Sequence, residues 1–422
     1  SHLEDLRVEM RLDPGARTLA AHADLKRLHW ERSEFALLEP RLRNELPPVE
    51  CSGFATGEAD VLLDLDTFEL RDLTGRIRLE ELNGAYGNVH TGGRRDLPFG
   101  LRQGEGTLRF DNGRLSLSDF GAVFVNVAGQ QGTLGADLFV DFRRVEPHVD
   151  FGLRGRIPAT TAGLRELLPT DVVESIVEQF LPSGTFDFDL AIVQRPAFRE
   201  KVVAVLDLSD GRFDYAGRLD ELTGKRFGFR YPLQSATGHI RIETHVATAR
   251  GVAEVITLRD VTGVNPIARP QDDGPENVAV VARGDILMYD NPGDVYREDV
   301  EIDIDVRDLP IDAKLAAAFA STPRGMPYKG FDLTGWADRV HIRIERHGWL
   351  DNEARTTYDV SLRDCSLAYE AFPLRVENVA GRIVSRDYQP DPADPRAWRL
   401  MEFRDLVGRA RDPELAVQLG QM

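Results

Sequence analysis

Histidine and carboxylate together are the ligand types that transition metals prefer, and His341-x-x-x-Glu345-x-His347 supplies both within seven residues. The same run, VHIRIERH, alternates apolar and polar from Val340 to Ile344, which is the signature of a strand. On a strand, His341, Glu345 and His347 share one outward face at spacings of about 13 and 7 Å, too far apart for one ion. They read as a solvated face, with no metal expected. The pairs Asp64/Asp66, Asp187/Asp189 and Asp303/Asp305 have the Asp-x-Asp form of calcium loops. No loop glycine and closing Glu of an EF-hand accompany them, so each reads as the polar side of an alternating strand.

Nucleophilic and phosphate-binding chemistry find no foothold. GxSxG, a P-loop, and GxGxxG between a strand and a helix are all missing. A carboxylate pair of the glycosidase kind needs convergent geometry that spacing alone cannot supply, which leaves a carbohydrate-active enzyme as a weak rival. Cys51 and Cys365 stand far apart, in no CxxC. Buried thiols, a long-range disulfide and no role all stay open. No catalytic residue and no cofactor is expected.

The elements that would carry these residues are nearly all strands with a period of two. Phe186, Phe188 and Leu190 alternate with Thr185, Asp187 and Asp189; Val300, Ile302, Ile304 and Val306 alternate with Glu301, Asp303 and Asp305. Parallel strands covered on both faces would give continuous apolar runs, so the pattern predicts a long antiparallel sheet with one watery and one apolar face. Asp13-Pro14-Gly15 and Asp111-Asn112-Gly113 mark turns. Helical spacing is confined to three stretches: Glu31–Leu46, residues 160–181 with an apolar stripe from Leu164 to Phe180, and Asp312–Ala320. Three short helices are too few to cover the apolar face. A second sheet, a closed barrel, or a trough holding something greasy would each satisfy it.

A hairpin recurs along the chain. It is clearest in LRDCSLAYEAFPLRVENVAGRIV (362–384), read as turning around Phe372-Pro373, and is legible at 206–243 and 82–110. In each copy a Pro beside an aromatic residue precedes a Gly taken to open a strand: Gly106, Gly238 and Gly381. Gly53, Gly184 and Gly330, also taken as strand starts, stand 53, 54 and 51 positions ahead of these. A helical stretch precedes each member of that second set. The phrase LRDLTG (70–75) returns as LRDVTG (258–263) and FRDLVG (403–408). Recurrence at long period indicates a repeat architecture. Three units are expected: 1–157 with N-terminal strands, 158–306 with the helical insert 160–181, and 307–422 with the short helix 312–320.

At 422 residues the chain exceeds the size at which a single core keeps growing. A net charge of −18 argues against nucleic acid and against docking on anionic membranes through a basic patch. No apolar run approaches the roughly 18 residues of a membrane span, and no signal peptide is visible. The opening Ser-His-Leu reads as a cloning remnant ahead of an excised fragment, so an anchoring segment is expected outside this sequence.

GRFDYAG…YPLQSATGHIRI and CSLAYEAFPLRVENVAGRI resemble the recurrent hairpin of the AsmA-like (TamB-like) bacterial envelope family, and LPIDAKLAAAF resembles its helix-then-strand insert. The resemblance covers most of 50–410. The first hairpin departs from it in a Gly/Arg insertion at 88–97 and in lacking the Asn seen at Asn378. The resemblance implies an elongated antiparallel β-sheet curled into a U-shaped groove. Its apolar interior would conduct or shelter phospholipid acyl chains between inner and outer membranes, without enzymatic activity. It further implies a periplasmic protein anchored to the inner membrane, with phospholipid or another acyl-chain lipid and envelope proteins of both membranes as partners. Phe186, Phe188, Leu190, Ile240, Ile242, Val340, Ile342 and Ile344 are the expected groove lining. The main rival is a structural or adhesive β-repeat protein with a closed, dry core.

Overall fold

The computed structural model describes residues 2–30, 49–86, 99–126, 129–143, 146–161, 177–196, 199–216, 218–220, 225–227, 229–267, 275–289, 297–320, 331–348, 355–369, 372–388 and 398–410. The helical reading of 31–46, most of that of 160–181, and Gly330 fall outside them.

Alternation becomes strand almost everywhere. The chain divides into two compact units. The first holds β1 (His2–Asp13), β2 (Thr18–Trp30), β3 (Val49–Asp64), β4 (Leu70–Tyr86), β5 (Phe99–Asp111), β6 (Arg114–Asn126), β7 (Gln131–Asp141), β8 (His148–Ala159) and β9 (Gly184–Gln194). Each pairs antiparallel with the next. Residues of β10 (Lys201–Phe213) and β13 (Leu233–Thr248) belong partly to each unit, and β11 (Arg218–Asp220) and β12 (Lys225–Phe227) make a small separate ribbon. The second unit continues with β14 (Gly251–Pro266), β15 (Asn277–Tyr289), β16 (Arg297–Ile311), β17 (Phe331–His347), β18 (Arg355–Tyr369), β19 (Phe372–Tyr388) and β20 (Trp398–Ala410). From β14 to β20 each strand again pairs antiparallel with its successor. The long strands are assigned to one eighteen-stranded antiparallel sheet. The described helices are α1 (Glu178–Phe180) and α2 (Ala313–Ala320).

The turns follow their chemistry. Asp111 pairs with Arg114 across Asn112 and Gly113, whose φ values of 45° and 80° make the left-handed two-residue turn that matches strand twist. The Asp13 carboxylate accepts the backbone N–H groups of Gly15 and Ala16 at 3.0 and 2.9 Å, closing the first hairpin. The last hairpin turns earlier than the proline implied: Tyr369 pairs with Phe372, so Phe372 and Pro373 begin β19.

The recurring Leu-Arg-Asp phrase has a structural meaning. Asp260, Asp308, Asp364 and Asp405 follow an apolar-Arg pair, and Asn378 follows Val376-Glu377; all five have φ between 47° and 54° inside a strand. Asp and Asn are the side-chain-bearing residues that tolerate this conformation best. The pairing registers shift at Leu258/Val261, Leu362/Cys365 and Glu377/Ala380, which identifies β-bulges. Each bulge exchanges the side of the strand that faces the apolar layer. On β16 that side holds Ile302, Ile304 and Val306 before Asp308 and Leu309 and Ile311 after it; on β18 it holds Leu362 before Asp364 and Cys365 after it. The LRDLTG copy at 70–75 also carries a register shift, between Leu70 and Asp72, but Asp72 lacks the positive φ.

The glycine landmarks are corrected by the same geometry. Gly53, Gly106, Gly238 and Gly381 do not open strands; they lie inside β3, β5, β13 and β19. A methyl group on any of them would meet the neighbouring strand at or beside its bulge: Leu82, Phe120, Val261 and Leu406 respectively. Gly184 does begin β9.

Candidate functional site

Five registers in the second unit align an apolar row across six strands. Val280 stands opposite Val306, Val306 opposite Val340, Val340 opposite Val360, Val360 opposite Ile383, and Ile383 opposite Phe403. A parallel row runs Ala282, Ile304, Ile342 and Tyr358, and a third runs Gly284, Ile302, Ile344 and Thr356. Opposed side chains on one face of an antiparallel pair lie about 5 Å apart, so the rows form a continuous apolar surface.

One end of this surface is sealed and the rest is not. At the sealed end Asp312 caps α2, its carboxylate accepting the Leu315 N–H at 2.9 Å. Leu315 and Ala318 then pack with Val306, Ile311, Ala337, Val340, Leu362, Cys365 and Val379 in one buried cluster. Lys314 ties the helix down by donating to the Asn265 side chain and to the Pro266 carbonyl, and Asn265 is itself buried and donates to the Pro232 carbonyl. Tyr231 packs in the same cluster, and burial raises its pKa. Further along the strands, Val280, Ile302, Ile304, Ile342, Ile344, Val360 and Ile383 are only half-buried, and Phe403 is 56 % exposed.

The opposite face is charged and internally compensated. Arg339 donates to Asp305 and Arg382 to Asp359, which holds both carboxyls below the ordinary range. Arg343 joins Glu345 at 2.5 Å and Glu301 at 2.5 Å. The His341 ring lies 3.3 Å from Asp303 through Nε2 and 3.3 Å from Asp305 through Nδ1. Among the described residues no group of three or more His, Cys, Asp and Glu side chains could hold a metal ion. Asp187 and Asp189 lie on β9 and Asp303 and Asp305 on β16, as polar alternates. Asp64 and Asp66 differ: Asp64 is buried and accepts the backbone N–H groups of Asp66 and Thr67, so this pair shapes the turn after β3.

Of the expected lining, Val340, Ile342 and Ile344 come together in these rows. Phe186, Phe188 and Leu190 lie together on β9 of the first unit, opposite Ile157, Gly155 and Leu153, with Phe186 buried and the other two half-buried. Ile240 and Ile242 are half-buried on β13 and belong to different units. Val280, Val306, Val360, Ile383 and Phe403 were not among the expected residues. Their alternation was visible in the sequence, but the pairing that lines them up was not. Among the described residues no helix is long and apolar enough to cross a membrane. Comparison with protein-family models, with curated proteins and with solved structures finds no match to this chain.

Proposed function

We propose that the apolar face of the sheet is an open trough that shelters acyl chains of phospholipid or a related lipid, without enzymatic activity. One observation carries this reading: the apolar rows pass from fully buried beneath α2 to partly buried along Ile302, Ile304, Ile342 and Ile344. A dry core buries its large aliphatic side chains, and leaving them partly exposed over adjacent strands fits a surface completed by a ligand. The resemblance of the hairpins to the AsmA-like envelope family supports the same reading. It extends the proposal to an elongated, U-sectioned groove of three repeats in the periplasm, anchored to the inner membrane through a segment outside this chain. Lipid would pass between the membranes with envelope proteins as partners.

Native mass spectrometry of the purified chain tests it. Co-purifying phospholipid, or uptake of a fluorescent phospholipid from vesicles, is the expected result. Lipid-free protein that takes up none would replace the trough with the structural repeat protein of closed core.

A further inference from the structure

The side of β17 that carries Val340, Ile342 and Ile344 continues to Arg346, because the pairing with β16 runs without a shift from Arg339 to His347 and alternate residues keep one side. On β16 the same side carries Val306, Ile304, Ile302, Val300 and then Glu298, and Val300 stands opposite Arg346. The apolar rows of the second unit therefore finish, at the end away from α2, in a charged pair: Arg346 donates through Nη1 to the Glu298 carboxylate. The ion pairs of Arg339, His341 and Arg343 lie on the opposite face. Arg346 differs from them in a second way. Its side chain is only 29 % exposed, and its Nε is buried with no hydrogen-bond partner among the described residues.

A buried guanidinium N–H costs free energy until an acceptor reaches it. With Val300 opposite and Ile344 two residues before, an acceptor arrives most directly with whatever lies on the apolar surface. We infer that Arg346 is the head-group ligand of the bound amphiphile. A phosphate oxygen of the lipid accepts from Arg346 Nε, and one acyl chain runs from there over Ile344 and Ile342 to Val340, which packs with α2. The inference rests on the trough reading and adds a polarity to it, with the head at the Arg346 end and the tail at the α2 end. The lengths agree. The six residues from Arg346 back to Val340 span about 20 Å of strand, and an acyl chain fills half of a hydrocarbon core of roughly 30 Å, or about 15 Å. Phosphate suits this position because the planar guanidinium presents its donors as a fork that matches phosphate oxygens. Glu298 competes for the same cation, so it holds Arg346 in place and weakens its grip on the phosphate.

Equilibrium binding of two single-chain probes to the full chain tests the inference: lysophosphatidylglycerol and the monoacylglycerol with the same fluorescent acyl chain, which lacks the phosphate. The wild type should bind both, the phospholipid more tightly. Arg346→Gln should lower the affinity for lysophosphatidylglycerol about tenfold or more and leave that for monoacylglycerol unchanged. Glu298→Gln removes the competitor and should raise the affinity for lysophosphatidylglycerol. A pair that only held the fold together would move both variants and both probes in the same direction, and that result overturns the proposal. If Arg346→Gln does not fold, the gain expected of Glu298→Gln still decides. Binding of both probes with no preference for the phosphate, or with no response to either substitution, overturns the head-group site and leaves the trough standing. A wild type that binds neither probe removes the trough and the site together.

Discussion

The carbonyl oxygen of Asp405 lies 2.8 Å from the point where a side chain on Gly381 would begin, and the Cα of Leu406 is equally close. Gly381 itself has φ 142°, which L residues rarely adopt. The bulge on β20 and the glycine on β19 are therefore one device made from two strands. Gly381→Ala should destabilise the protein by about 2–4 kcal/mol, since backbone strain and a contact with main-chain atoms act together. Gly121→Ala meets nothing within 4 Å and should change stability by less than about 1 kcal/mol. Urea midpoints of the two variants check the contrast; equal losses would mean that the bulge does not dictate the glycine.

Aspartate scanning along β17 should separate the sealed from the open part of the apolar surface. Ala337 is 1 % exposed, and Ala337→Asp buries an unpaired carboxylate at a cost of several kcal/mol. Ile344 is half-buried, so Ile344→Asp leaves the carboxylate a route to water and should cost about 1–2 kcal/mol less the further it reaches. Ile344→Asp should remain folded yet take up less fluorescent phospholipid than the wild type. Melting curves beside the uptake assay decide it, and a folded Ile344→Asp with normal uptake would remove this position from the trough.

Acid should weaken the charged face in a defined direction. Arg339 and Arg382 depress the carboxyls of Asp305 and Asp359 in the folded protein. Their contribution is complete above the ordinary Asp value of about 4 and is lost as pH falls through the lower folded values. The double variant Asp305→Asn, Asp359→Asn should lose about 1 kcal/mol or less per pair at pH 7, since both pairs are partly solvated. Its stability should also fall less steeply than that of the wild type below about pH 4. Parallel acid limbs in chemical denaturation at several pH values would refute this assignment.

Cys365 should be chemically silent until the protein opens. Its side chain is fully buried, its thiol donates to the Trp336 carbonyl at 3.3 Å, and burial raises its pKa. Thiolate is the reactive form, so alkylation mapped at Cys365 should follow global unfolding in urea. Rapid labelling in native buffer would mean that the cluster beneath α2 opens locally.

What the sequence made legible was local. The alternation of Ile302 and Ile304, the turn at Asn112-Gly113 and the helix ending at Ala320 each depend on residues within a few positions, and each is found in the structure. What it concealed was set by neighbours distant along the chain. Gly53 resembles a strand start until Leu82 of the adjoining strand is seen to press on it. Val340 and Ile344 have the same pattern in sequence, yet one is buried and the other half-exposed, because α2 seats over only one end of their strand. Asp64 looked like a polar alternate because the turn that its carboxylate organises lies just beyond it.

The bulges also bear on slippage. A period of two forbids a strand from sliding by one residue past its neighbour, because every side chain would change faces, but a slide by two preserves the alternation. In a ladder of near-identical amphipathic strands, those even slides are the dangerous misfolds. Asp260, Asp308, Asp364, Asn378 and Asp405 remove that degeneracy. A slide of two would carry Asp364 away from Gly335 and drive its backbone against Ala337 or Leu333 instead. Alternation thus chooses the face, while an aspartate facing a glycine fixes the alignment where the two meet, Asp260 with Gly238, Asp364 with Gly335 and Asp405 with Gly381.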